Sequence, residues 1–281
     1  MSKKILLAFI YLIPQRLYGG LLKKIFELTS PQWFITILKS LFVKFYKINM
    51  AEAEFSISEY KSVQDLFCRR LKNNERSAAA SSIISPVDGK ITECGIIKQN
   101  KIIQAKNLDY KLSELLSNEC YEKFENGWYI TIYLAPYNYH RIHSPASGII
   151  NKFYYQPGIF LPVNNITTPL VKNLFVKNER ITTFIETTEG LTALVKVAAL
   201  GVGNIKLFYY SDDTQTAKIK NINNYKNHFT FLENNIKINK FDELGCFAFG
   251  STVILLCEKS IKSPNFENLK NKNIKVGEAI N

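Results

Sequence analysis

The chain has 281 residues, 46% of them hydrophobic, and a formal net charge of +12. That length and apolar content exclude disorder and leave room for one large core or two modest ones. A disulfide-stapled secreted scaffold is excluded as well: the five cysteines, Cys68, Cys94, Cys120, Cys246 and Cys257, are odd in number and lack any CxxC spacing, so they read as reduced thiols of a cytosolic compartment.

The charge is concentrated early. The first fifty residues hold eight bases and a single acid, Glu27, which is +7 of the total. Residues 1–50 read as helical and amphipathic: Phe34, Ile37, Leu38, Leu41, Phe42 and Phe45 recur at helical spacing, with Lys39, Lys44 and Lys47 off that stripe. A helix packed on its own core would give the same stripe. Lysines mixed with aromatics through the whole segment favour docking on an anionic membrane surface, and suit it better than a nucleic-acid groove. The run Ile5 to Ile13 resembles a signal peptide, but Pro14-Gln15-Arg16 follows where a small-residue cleavage site belongs. It is also too short to span a bilayer, which takes roughly 20 apolar residues.

Residues 51–80 are a connector. Ser62 with Asp65 predicts an N-cap for a short helix through Leu66 and Phe67, and Ser77 to Ser82 a polar loop. From Ile83 the texture becomes β. Ser85-Pro86-Val87-Asp88-Gly89-Lys90 is turn chemistry between extended segments. A short helical insertion covers Leu112, Leu115 and Leu116. Strands are expected over Tyr129–Leu134, Ile149–Tyr155, Ile181–Thr187, Leu191–Ala199 and Ile205–Tyr210, in an antiparallel or mixed core. Residues 211–240 read as a polar loop with a short strand. Gly250-Ser251-Thr252 reads as a turn or bulge opening a buried strand, Val253 to Cys257, and the tail from Pro264 as loosely specified. The fold class is α+β: a helical membrane-docking region, 1–50, then a β-rich catalytic domain, 51–281.

Three polar positions stand in unusual company. Asp88 lies in a glycine turn, His140 and His143 flank Arg141-Ile142 just after a strand, and Ser251 follows Gly250. Asp, His and Ser are the parts of a serine-nucleophile triad, in which the His takes the Ser proton and the Asp holds the His in its productive tautomer. Each has a plainer reading: an Asx turn, a satisfied core histidine, a tight turn. Residues three apart on an extended segment face opposite sides, so the two histidines do different jobs. The three histidines, His140, His143 and His228, are too scattered for a zinc site, and no metal is expected.

The ordered set of motifs resembles bacterial phosphatidylserine decarboxylase, the membrane-associated pyruvoyl enzyme. It comprises Phe42 to Ile48, Leu66-Phe67-Cys68-Arg69, Pro86-Val87-Asp88-Gly89-Lys90-Ile91, Leu134-Ala135-Pro136 and Tyr139-His140-Arg141-Ile142-His143-Ser144-Pro145. Pro157-Gly158, Pro162-Val163-Asn164, Asn178-Glu179-Arg180, Val197-Ala198-Ala199, Val202-Gly203 and Gly245 ahead of Phe249-Gly250-Ser251-Thr252 complete it. The resemblance runs through about Cys257, and nothing is carried over to the tail.

The resemblance implies that Asp88, His143 and Ser251 form a self-cleavage triad and that Gly250-Ser251 is the scissile bond. His140 is then the histidine of substrate and proton handling. It also implies a covalent pyruvoyl cofactor derived from Ser251, which takes phosphatidylserine as a Schiff base and releases phosphatidylethanolamine and CO2. The large chain, 1–250, would stay associated with the small chain, 251–281. The place implied is peripheral, on the cytoplasmic face of the bacterial inner membrane, with phosphatidylserine and anionic phospholipid as partners, no nucleic acid, and a homodimer left open. Two readings from other classes compete: a Ser-His-Asp hydrolase of an external substrate, and a non-catalytic membrane-binding module.

Overall fold

The computed structural model describes residues 15–105, 108–164, 166–199, 205–209, 228–247 and 251–281; of residues 15–18 and 228–234 it describes the backbone. The signal-like run Ile5 to Ile13, residues 211–227 and Gly250 lie outside the described residues.

Two helices, Gln15–Glu27 and Gln32–Tyr46, open the chain, and a third, Val63–Phe67, starts where Ser62 Oγ accepts the Asp65 backbone N–H at 3.0 Å. The strands follow: β1 (Gly89–Ile96), β2 (Lys101–Ala105), β3 (Leu108–Lys111), β4 (Trp128–Leu134), β5 (Arg141–His143), β6 (Gly148–Gln156) and β7 (Arg180–Glu186). After them come β8 (Leu191–Ala198), β9 (Ile205–Leu207), β10 (His228–Ile238), β11 (Glu243–Phe247), β12 (Ser251–Cys257) and β13 (Asn273–Ile274). Short helices, Leu112–Leu115 and Leu174–Lys177, interrupt the series.

The main sheet runs β10-β6-β7-β8-β12-β4-β1-β13, with antiparallel neighbours throughout. A three-stranded sheet, β5-β11-β9, and the β2-β3 hairpin complete it. β12 and β8 lie in the middle and are buried along their whole length. That is why they read as near-continuous apolar runs: a strand covered on both faces has no solvent side to keep polar. Burying each Leu or Ile side chain of β12 contributes about 1.5–3 kcal/mol.

Three expectations are corrected. Ser251 and Thr252 do not form a turn before the strand; both are already laddered, Ser251 opposite Leu134 of β4 and Ala198 of β8. Where a polar loop with a short strand was expected, β10 is eleven residues long and pairs with β6 as an edge. The tail is not loosely specified: Asn271 to Ile280 runs antiparallel to Ile83–Ile91 through β13 and backbone bonds such as Gly277 N–H to Ser85 O (3.0 Å) and Ile280 N–H to Ile83 O (3.0 Å).

The helix Gln32–Tyr46 is two-sided. Ile35, Phe42 and Lys39 face inward, and Phe42 packs in a cluster with Val63, Leu66 and Phe67. Lys39 lies off the aromatic stripe, as expected, but on the enclosed side, where its Nζ donates to the carbonyls of Ser58 and Tyr60. Trp33, Phe34, Ile37, Leu41 and Phe45 remain exposed along the opposite side. No described helix is long and apolar enough to cross a membrane.

Candidate active site

Strand β5 carries His143, with His140 just before it, and the segment follows β4, whose last residue, Leu134, pairs with Ser251. β5 pairs with β11, Glu243 opposite His143 and Cys246 opposite Arg141, and the Phe247 N–H donates to the His140 carbonyl at 3.1 Å. β11 can lie this close to β9 because residue 245 is glycine: a Cβ there would stand 2.1 Å from the Lys206 carbonyl oxygen. After Phe247 the chain passes through Ala248, Phe249 and Gly250, outside the described residues, and re-enters the main sheet at Ser251.

Ser251 is fully buried, and its Oγ has no hydrogen-bond partner among the described residues. A buried hydroxyl without a partner is uncommon and calls for a reason. Here it heads a strand clamped on both sides, so its backbone is fixed while its side chain is uncommitted.

The two histidines sit in different surroundings, as their spacing predicts. His140 is fully buried against the Phe67 ring, with 4.0 Å between centroids. Its Nδ1 lies 2.8 Å from the Asn138 carbonyl, which can only accept, so Nδ1 carries the proton. Burial pushes the His140 pKa down to about 3, leaving a neutral imidazole whose Nε2 lone pair has no partner among the described residues. His143 stacks on Phe241 and presents Nδ1 to the Phe241 carbonyl at 2.7 Å; its Nε2 therefore accepts from the Tyr139 hydroxyl at 3.1 Å. Burial lowers its pKa too, opposed by the Phe241 bond and, at longer range, by the charges of Glu243 and Asp88. Phe241 itself has φ +80°, a conformation that a bulky side chain rarely adopts, so the carbonyl that orients His143 is held at a strained residue.

Asp88 is close to His143, since the His143 N–H donates to the Pro86 carbonyl at 2.8 Å. Its carboxylate is engaged elsewhere. Arg76 holds it through Nε (3.2 Å) and Nη2 (2.7 Å), and the Val276 N–H adds a third bond at 2.8 Å. Arg76 Nη2 also reaches Glu52 at 2.8 Å. In this structure His143 is oriented by Phe241 and Tyr139, and Asp88 bears on it through charge. A cavity of about 330 Å³ opens on this group, lined among others by Arg70, Arg76, Tyr139, His143 and Glu243.

Arg76, Tyr139, Phe241 and the tail were missed as site residues. Tyr139 stood inside the histidine motif and is one helical or two strand periods from His143, but nothing in the spacing assigned it a bond. Arg76 and Val276 had no local signal, because they meet Asp88 only in three dimensions. No described group of His, Cys, Asp and Glu is arranged to hold a metal ion.

A profile of the phosphatidylserine decarboxylase family matches residues 63–281. A Brevibacillus brevis protein named phosphatidylserine decarboxylase proenzyme is 37% identical over 285 residues, covering 100% of this chain and 98% of its own. Proteins of the same name from Francisella tularensis subsp. holarctica (39% over 273 residues, 95% of this chain and 93% of that one) and Saccharophagus degradans (36% over 264 residues, 92% and 90%) are also similar. The family match begins within the connector, takes in both histidines and Ser251, and runs on through the tail that closes over Asp88: the chain belongs to the phosphatidylserine decarboxylase family.

Proposed function

We propose that this protein is made as a proenzyme, cuts itself between Gly250 and Ser251, and decarboxylates phosphatidylserine to phosphatidylethanolamine on a pyruvoyl group made from Ser251. The observation that carries this reading is the uncommitted, fully buried Ser251 hydroxyl at the head of a strand locked between β4 and β8. A hydroxyl with no competing hydrogen bond is free to turn onto the preceding carbonyl. In the proposed cut, His143 accepts the hydroxyl proton at Nε2 once Tyr139 yields that position, and Asp88, held by Arg76, favours the resulting imidazolium by its charge. Ser251 Oγ attacks the Gly250 carbonyl carbon and the Gly250–Ser251 C–N bond breaks, giving an ester. β-Elimination then breaks the Cβ–O bond, freeing Gly250 as a carboxylate and leaving dehydroalanine at 251. Its imine tautomer takes up water and loses ammonia, and residue 251 becomes the pyruvoyl group.

Two observations support such a group: the Ser251 hydroxyl makes no hydrogen bond among the described residues, and His140 is neutral. A pyruvoyl ketone supplies the electron sink for loss of CO2. His140, neutral and with Nε2 open, is placed to move a proton at the substrate. The fragment 251–281 stays with 1–250 because β12 is paired on both edges.

The membrane part of the reading is supported by the outward face of Gln32–Tyr46. Trp33, Phe34, Ile37, Leu41 and Phe45 form one apolar stripe with Lys44 and Lys47 near its end. An amphipathic helix of this kind lies in the headgroup plane, drawn to anionic lipid. The protein would then act peripherally, on the cytoplasmic face of the inner membrane.

Mass spectrometry of purified Ser251→Ala tests the centre of the proposal. The expected result is one uncut chain that releases no CO2 from phosphatidylserine, beside a wild type found as two fragments. An intact wild type labelled at Ser251 by a fluorophosphonate would instead make it a hydrolase of external substrates.

A further inference from the structure

Buried polar groups are almost always hydrogen-bonded, and a buried charge without a counter-ion is strongly destabilising. Arg69 departs from that pattern. It is 3% exposed, its Nη2 donates to the carbonyls of Tyr137 (3.2 Å) and Asn138 (3.1 Å), and its Nε and Nη1 have no partner among the described residues. The carboxylates whose charge it feels, Asp88 and Glu52, are both taken by Arg76. No described ion pair includes it.

Its neighbour is informative. The Asn138 carbonyl that holds Arg69 is also the acceptor for His140 Nδ1 at 2.8 Å. One backbone oxygen thus fixes a cation and a neutral imidazole side by side, and each keeps a polar edge unsatisfied. Two open polar groups held side by side in one buried place describe a site complementary to a further ligand.

We propose that Arg69 binds an oxyanion of the substrate headgroup through its open N–H donors, beside His140; this rests on the decarboxylase reading above. Phosphatidylserine offers two oxyanions, a carboxylate and a phosphodiester, and a guanidinium accepts either. The reaction favours the phosphodiester. A cation on the carboxylate would stabilise a charge that must leave as CO2, holding the ground state more tightly than the transition state, whereas a grip on the phosphodiester is kept throughout.

The test uses the full chain, wild type against Arg69→Gln and Arg69→Lys, with completeness of the cut before Ser251 as the measure of folding. Decarboxylation of phosphatidylserine in mixed micelles is then inhibited with glycerophosphoethanolamine, which has the phosphodiester and no carboxylate, and with serine, which has the reverse. Arg69→Gln is expected to raise KM for phosphatidylserine and Ki for glycerophosphoethanolamine at least tenfold, to leave Ki for serine within twofold, and Arg69→Lys to recover part of the loss. The opposite pattern, serine weakened and glycerophosphoethanolamine unchanged, supports the oxyanion site and assigns it to the carboxylate. KM and both Ki values within twofold of wild type, or a loss confined to kcat, overturns the proposal. If Arg69→Gln fails to mature, Arg69→Lys decides by the same readings. A wild type that releases no CO2 defeats the decarboxylase reading instead, and calorimetric binding of glycerophosphoethanolamine to wild type and Arg69→Lys then decides the oxyanion site.

Discussion

The helix Gln32–Tyr46 and the strand β12 are both mostly apolar, and they dispose of their side chains in opposite ways. Every residue of β12 is buried. In the helix, Trp33 and Phe45 are 68% and 76% exposed while Lys39 is completely enclosed. The strand is satisfied by its own sheet. The helix turns one narrow stripe to the protein and leaves a wider apolar one uncovered by the described residues. Apolar content therefore does not tell which residues hold the fold together; the number of faces that the protein itself covers does.

If that contrast is right, the sheet should be intolerant and the outer helix face indifferent. The largest effect is expected from Leu255→Ala, opposite Ile130 and Leu194. Placed in uncut Ser251→Ala chain, so that unfolding involves one molecule, it should cost about 2–5 kcal/mol in a denaturant titration. A loss below about 1 kcal/mol would break the comparison.

The next effect sharpens it. The helix and the main sheet each bury a lysine, but among the described residues Lys39 finds two carbonyls and Lys196 of β8 only the Thr183 hydroxyl. Burial pushes Lys196 down to about 7 from its ordinary 10.5. The folded state thus binds fewer protons than the unfolded between those values, and stability falls as pH drops from 10.5 through 7. Lys196→Met should raise stability by about 1–4 kcal/mol near neutral pH. Its advantage should shrink as pH rises towards 10.5, and an advantage that grows with pH would contradict the assignment.

The smallest effect on folding belongs to Trp33→Ser with Phe45→Ser. Stability should stay within about 0.5 kcal/mol, as for exposed positions generally. Flotation with vesicles containing anionic lipid should drop sharply, and unchanged flotation would place the anchor elsewhere.

Strands that bury both faces were legible in the sequence almost to the residue: β4, β8 and β12 each came within two residues of their expected ends. The Ser62 cap was legible for a local reason, an oxygen three residues from the N–H it accepts. What escaped depends on partners distant in sequence. β10 is an edge strand in an Asn- and Lys-rich stretch, paired by backbone to β6, and its apolar alternation at Phe229/Phe231 and Ile236/Ile238 is broken by Glu233-Asn234-Asn235. The tail is held in the same way, by backbone bonds along Ile83–Ile91 and the Val276 N–H on Asp88. Within the site, residue types and order pointed to Asp88, His140, His143 and Ser251. Which of them touch was not legible, because Arg76 takes Asp88 and the Phe241 carbonyl takes His143.

The position of β12 bears on how such a protein persists. In the cut form proposed here, the strand belongs to one polypeptide and both its neighbours, β4 and β8, to another. A precursor that unfolds can refold alone. A mature molecule that unfolds releases its 251–281 fragment into dilution, and refolding becomes a second-order encounter whose success falls with concentration. Maturation would exchange a reversible equilibrium for a lifetime set by the rate of unfolding, so the mature enzyme should be judged by its half-life at a given temperature and not by a melting point.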